Sequence, residues 1–346
     1  MVIDAFPSPS RALLAGREVL AFAGCNYLGL AHHPRPRLAA AHAAEHLGLS
    51  IHASRATSGD SAELLALELD LRAHFRCEDV AVLPSGYLAN LAAAQALRAD
   101  HDLAILDEHA HPSLSDAFAS AGLPSRTFPH AQAAAATALA RAQPRTLVAT
   151  DSVFGTRAVR APIDALVRGL PPTATLLLDD AHAFAATSPR GSFDHLDLPS
   201  LVVTGSLAKG LGCQGGFVAA GAAIIDRVRL SNAYVCSTPP SPSIVAAARA
   251  ALAILRDEPD RFDRLSRHSA ALAEALAPIA TITDPLPFAI INHPDAGDLH
   301  ARLLDHDILV PLLAYPGSGN ALRASVTSEH TPAEIDRLAD TLRAML

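Results

Sequence analysis

The chain has 346 residues, half of them hydrophobic and 18% charged, with 27 basic against 35 acidic side chains and a formal net charge of −8. That length suits a large buried core, alone or with a smaller second domain, and with no run of Lys or Arg a nucleic-acid partner held by a basic patch is not expected. No apolar stretch approaches the roughly 18–20 residues of a membrane span, and the first residues, MVIDAFPSPSRALL, have neither the basic start nor the apolar core of a signal peptide. The expectation is a cytoplasmic protein with no membrane span.

In chain order, residues 1–45 read as an N-terminal segment and 46–236 as a large domain. Short apolar runs at 80–83, 103–106, 146–150, 174–178, 201–205 and 217–220 predict strands. Helical patterns at 36–47, 61–75, 86–98, 113–121, 131–142 and 162–170 fall before or between them. Strands that are apolar throughout, alternating with helices, indicate an α/β fold with a mostly parallel buried sheet. The Pro-rich turn STPPSPS at 237–243 marks a change of texture. Beyond it come a helical stretch at 243–277 broken near Glu258-Pro259, strands near 287–292 and 308–313, a Pro/Gly loop at 316–319, a strand at 321–327 and a helix from Pro332. Residues 237–346 thus read as a smaller α+β C-terminal domain.

The cysteines at 25, 77, 213 and 236 are far apart and form no CxxC pair, so they read as reduced thiols. His109 and His111 lack further ligands at suitable spacing, and no metal is expected. Of the 27 basic residues only one, Lys209, is lysine. Arginine can replace lysine as a solubilising charge but cannot act as a primary amine nucleophile. Ligands of open α/β sheets bind beyond the carboxyl ends of the strands, and three polar groups fall there. Ser85-Gly86-Tyr87 caps a helix whose free N–H groups suit a phosphate. Asp179 and His182 follow strand 174–178, and Ser206 and Lys209 follow strand 201–205. An aspartate so placed can hold the protonated ring nitrogen that pyridoxal 5′-phosphate (PLP) needs as an electron sink.

In this order and spacing the chain resembles the α-oxoamine synthases, fold-type I PLP enzymes that include 8-amino-7-oxononanoate synthase and serine palmitoyltransferase. The resemblance runs from Asn26-Tyr27-Leu28-Gly29-Leu30 through Ser54–Gly59 with Leu67-Glu68, Ser85-Gly86-Tyr87 with Asn90, His111, Asp179 with His182, Ser206 with Lys209, and Ser237-Thr238, to Arg323. It implies a large domain with a seven-stranded, mostly parallel sheet. It also implies PLP bound as a Schiff base on Lys209, with His111 stacked on the ring, Asp179 on the ring nitrogen and His182 on the ring hydroxyl. Ser85, Gly86, Tyr87 and Ser206 would hold the phosphate, and Thr238 would reach the partner subunit's phosphate in a homodimer with shared sites. Arg323 and Asn26 would bind the amino acid substrate.

The implied reaction is a decarboxylative condensation of a small amino acid with an acyl thioester, on coenzyme A or a carrier protein, giving an α-amino ketone. An aminotransferase of the same fold and a non-catalytic homologue acting as a subunit are the alternatives. The chain departs from the family pattern at His52, at Leu64 (often His), at Gly155 (usually Ser or Thr) and at Ala183-Phe184-Ala185. The bulky Phe184 is expected to narrow the acyl channel.

Overall fold

A computed structural model describes residues 2–196, 201–280, 282–313 and 320–346; the loop expected at 316–319 lies outside these. Its centre is a seven-stranded sheet in the order Asp79–Leu83, Gly216–Ala220, Leu201–Ser206, Thr175–Asp179, Thr146–Asp151, Leu103–Asp107, Ser125–Phe128. Gly216–Ala220 runs antiparallel to both its neighbours, and every other pairing is parallel. Two apolar clusters cover the two faces of this sheet. One gathers Val80, Ile105, Val148, Leu178 and Phe217, and the other Ala81, Leu106, Leu147, Leu177 and Val218. A strand buried on both faces has no solvent side to alternate toward, which is why these segments read as unbroken apolar runs.

The remaining sheets are small. Ala5–Ser8, Arg11–Leu14 and Arg17–Ala21 form an antiparallel meander, and Ile308–Leu309 adds to it in parallel. Phe288–Asn292 pairs antiparallel with Ala321–Ser325, setting Arg323 opposite Ile290. Leu20 and Phe22 share an apolar cluster with Leu272, Ile291, Leu322 and Leu338, so the first strands pack with the end of the chain. Helix Pro242–Asp257 instead sends Val245, Ala248 and Ala251 into the cluster that holds Leu64, Leu67 and Leu71 of helix Ala62–Phe75. The polypeptide after the Pro-rich turn therefore serves both cores.

Several elements differ from expectation. The meander, edge strand Ser125–Phe128 and helices Ala222–Arg229 and Ala296–Asp305 were not anticipated. The strand expected at 308–313 is only Ile308–Leu309, ahead of Pro311, which has no N–H to continue a ladder. Phe184, expected to narrow or reshape the acyl channel, points into the interior and not into the cavity described below. Its ring is fully buried, edge-on to Phe75, Phe217 and His74, so it packs the core. Among the described residues no helix is long and apolar enough to cross a membrane, and no group of three or more His, Cys, Asp or Glu is placed to hold a metal.

Candidate active site

Asp107, Asp151, Asp179 and Ser206 each end a strand of the central sheet, and all four line one cavity of 630 Å³. Helix Gly86–Leu97 starts at the same edge. Ser85 caps it, its Oγ accepting from Leu88 N at 3.2 Å, which leaves the other first-turn N–H groups facing the cavity beside Gly86, Tyr87 and Ser206. The helix start also lies close to the next strand: a Cβ at 86 would sit 3.2 Å from Ser206 Cβ. Tyr87 lies at the rim and donates its hydroxyl to Asp116 at 2.6 Å.

Asn90, one turn into that helix, organises the floor. Its Nδ2 donates to Asp179 Oδ2 at 2.7 Å and to Ser113 Oγ at 2.8 Å, while its Oδ1 accepts from Thr204 Oγ1 at 2.5 Å. Ser113 Oγ, receiving from Asn90, donates in turn to His111 Nδ1 at 2.7 Å. His111 Nδ1 also caps helix Pro112–Ser120, so the ring's proton sits on Nε2. Asp179 and His111, on different strand ends, are thereby held by one amide. Asp151 accepts the His111 N–H at 2.7 Å, and burial with the neighbouring Asp179 charge pushes its carboxyl well above the usual range.

The wall joins the two ends of the chain. Arg323 Nη2 donates to Tyr27 Oη at 2.6 Å, its guanidinium lies 4.2 Å over the Phe288 ring, and Nη1 reaches Cys25 Sγ at 3.4 Å. Tyr27 Oη, accepting from Arg323, has its own proton for His182 Nδ1, 2.8 Å away. Burial, then the charges of Lys209 and Arg323, holds the His182 imidazole well below its ordinary pKa. His182 is therefore neutral, with its proton on Nε2. That atom lies over Gly155, where any side chain would overlap the imidazole.

Lys209 lines the cavity half-buried and makes no hydrogen bond or ion pair among the described residues. A lone amine beside a buried carboxylate, below a helix N-terminus and next to an imidazole, is a donor set that fits PLP: phosphate at Ser85–Tyr87 and Ser206, ring nitrogen at Asp179, aldehyde carbon at Lys209.

Of the expected site residues, the cavity gathers Ser85, Gly86, Tyr87, His111, Asp179, His182, Ser206, Lys209 and Arg323. It does not gather Asn26 or Thr238. Asn26 holds its own turn, accepting from Ala31 N at 3.2 Å and contacting His32 Nδ1 at 3.2 Å. Thr238 is exposed and outside the cavity of this chain. Cys25 and Asp151 line the cavity without having been expected. Asp151 was within reach of sequence reasoning, since it ends a strand as Asp179 does; Cys25 carries no such signal.

A doubly wound sheet with this lysine, aspartate and histidine at its carboxyl edge is the layout of a fold-type I PLP enzyme. The model of the family "Aminotransferase class I and II" matches residues 17–342, and the chain belongs to that family, in its α-oxoamine synthase branch. It is 34% identical to the 8-amino-7-oxononanoate synthase of Hahella chejuensis over 99% of this chain and 90% of that protein. The same identity holds for the Methylococcus capsulatus 8-amino-7-oxononanoate synthase, over 97% of this chain and 91% of that one. Among solved structures, SPT with a PLP internal aldimine superposes with a TM-score of 0.93 at 26% identity, covering 99% of this chain and 91% of its own. An 8-amino-7-oxononanoate synthase of Francisella tularensis shares the fold, with a TM-score of 0.82 at 23% identity over 94% and 97% of the two chains.

Proposed function

We propose that this chain condenses a small amino acid with an acyl thioester, losing carbon dioxide and the thiol, to give an α-amino ketone. The observation that carries the reading is the meeting, in one cavity, of the unpaired amine of Lys209, the Asn90-held carboxylate of Asp179 and the half-buried guanidinium of Arg323. PLP, when bound, supplies an electron sink for a carbanion at the amino acid's α-carbon. Asp179, fixed in position by Asn90 and the Ala181 N–H at 2.9 Å, would keep the ring nitrogen protonated. Arg323 takes the amino acid's carboxylate, its plane set by Phe288 and Tyr27 so that a two-pronged pair can form. Lys209 would hold the cofactor and, as a free amine, would take the α-proton and later return one. The His111 imidazole would stack on the ring, leaving its Nε2–H free to donate to the incoming acyl carbonyl, and His182 Nε2–H would donate to the ring hydroxyl. Ser85, Gly86, Tyr87 and Ser206 bind the phosphate.

The active form is a cytoplasmic homodimer in which Thr238 completes the partner subunit's phosphate site. Its exposure and distance from its own cavity support that arrangement. The test is the visible spectrum of PLP-loaded protein before and after alanine, glycine or serine, followed by a screen of acyl thioesters for thiol release. A cofactor band lost in Lys209→Ala, perturbed by one amino acid, with amino-acid-dependent thiol release, is the expected result. Conversion to pyridoxamine phosphate and an oxo acid would make the chain an aminotransferase; no band with PLP in excess would make it a non-catalytic relative.

A further inference from the structure

Cys25 and Arg323 are 298 residues apart in sequence and in contact in the site. Arg323 is half-buried with its Nε sealed from solvent, yet among the described residues it pairs with no carboxylate, and that Nε has no partner at all. A cation partly withdrawn from water without an anion is costly unless a ligand or an ionisable neighbour supplies the charge. Its neighbours are the Tyr27 hydroxyl, the Phe288 face and the Cys25 thiol, and of these Cys25 lines the open cavity. The thiol thus stands at an edge of the guanidinium that a substrate carboxylate can also reach.

We propose that Cys25 occupies the carboxylate-facing edge of Arg323 in the substrate-free enzyme, is displaced by the amino acid's carboxylate, and competes with it once ionised. This rests on the reading of Arg323 given above. The groups that face the thiol are Arg323 from strand Ala321–Ser325, Lys209 from the segment after strand Leu201–Ser206, and Tyr27 from its own segment. Burial opposes ionisation, but the charges of Arg323 and Lys209 and the hydrogen bonds of Arg323 and Tyr27 hold the thiol below its ordinary value. Cys25 is a positioning residue in this account: no bond to it forms or breaks, and it tunes amino acid affinity with pH.

The test is a spectral titration of PLP-loaded enzyme with alanine, glycine and serine between about pH 6.5 and 9.5, in the native protein and in Cys25→Ser, whose hydroxyl does not ionise there. The substrate's amino group titrates alike in both, so the ratio of native to variant Kd isolates the thiol. That ratio should rise with pH, approaching about tenfold per pH unit above the thiol's ionisation. In the native protein, iodoacetamide labelling of the Cys25 peptide, followed by mass spectrometry, should slow when the amino acid is present. A ratio flat with pH, or labelling indifferent to the amino acid, overturns the proposal while leaving the synthase reading in place. No spectral response to any of the three amino acids in either protein overturns both.

Discussion

Asn90 touches neither substrate nor cofactor in the reading above, yet it fixes Asp179 and, through Ser113, His111. Replacing it with leucine keeps the volume and strips both buried acceptors of a donor. An unsatisfied buried group loses about 1–3 kcal/mol, so PLP affinity in Asn90→Leu should fall roughly tenfold or more. An absorbance titration with PLP measures this, and unchanged affinity would mean that Asp179 does not face the ring. His330 offers a second test at this scale, away from the site. Its Nδ1 accepts from Thr327 N at 3.0 Å, its ring centre lies 4.7 Å from that of Phe22, and burial pushes the imidazole down to about 4 from an ordinary 6.5. The unfolded chain then binds the extra proton and the folded one does not, so stability is full above pH 6.5 and declines as pH falls toward 4. That decline amounts to about 3 kcal/mol for this one group. Denaturant unfolding at a series of pH values should show a shallower acid-side loss in His330→Gln than in the native protein.

At the scale of elements, one buried ion pair joins three of them. Arg55, from the loop before helix Ala62–Phe75, gives Nη1 and Nη2 to the two oxygens of Glu68 at 2.5 and 3.1 Å, and Glu68 Oε1 also accepts from Val82 N at 2.8 Å. The guanidinium lies 4.9 Å from the centroid of the Tyr234 ring, and the side chains are only 3% and 6% exposed. Strand Asp79–Leu83 is thus clamped just before Ser85–Tyr87. Arg55→Leu leaves Glu68 charged and buried, and should destabilise by about 3–5 kcal/mol. Arg55→Leu combined with Glu68→Leu should recover part of the melting temperature, which a thermal melt of the three proteins would show; no recovery would remove the clamp. The sequence reading placed Glu68 in a helix but gave no reason to pair it with Arg55. The same limit explains what else was and was not legible. Strands such as Leu201–Ser206 announce themselves because burial on both faces demands an apolar run. Edge strand Ser125–Phe128, sequence SRTF, is exposed along most of its length and shows no such pattern. The N-terminal meander is three short strands whose cross-chain partner, Ile308–Leu309, lies almost at the other end of the sequence. Site residues at strand ends could be read by position, whereas Cys25, Tyr27 and Arg323 converge through pairing that no local pattern encodes.

For the whole molecule, the completeness of the site turns on which cavity Thr238 serves. The cavity holds a phosphate cradle in Ser85, Gly86, Tyr87 and Ser206, but Thr238 lies outside it on the surface, four residues beyond buried Tyr234. In a two-fold dimer each Thr238 would serve the opposite cavity. Two inactive variants distinguish that arrangement from a self-contained site. Mix Lys209→Ala with Thr238→Asp, which sets a negative charge against the phosphate, under conditions that exchange subunits. In the hybrid, one site joins the mutant lysine position to the mutant threonine position, and the other joins the two native residues. Half of a random mixture is hybrid, so about one quarter of all sites should regain activity. If Thr238 acts on its own chain or not at all, the mixture can do no better than the mean of its parents, and thiol release measured before and after subunit exchange separates the two.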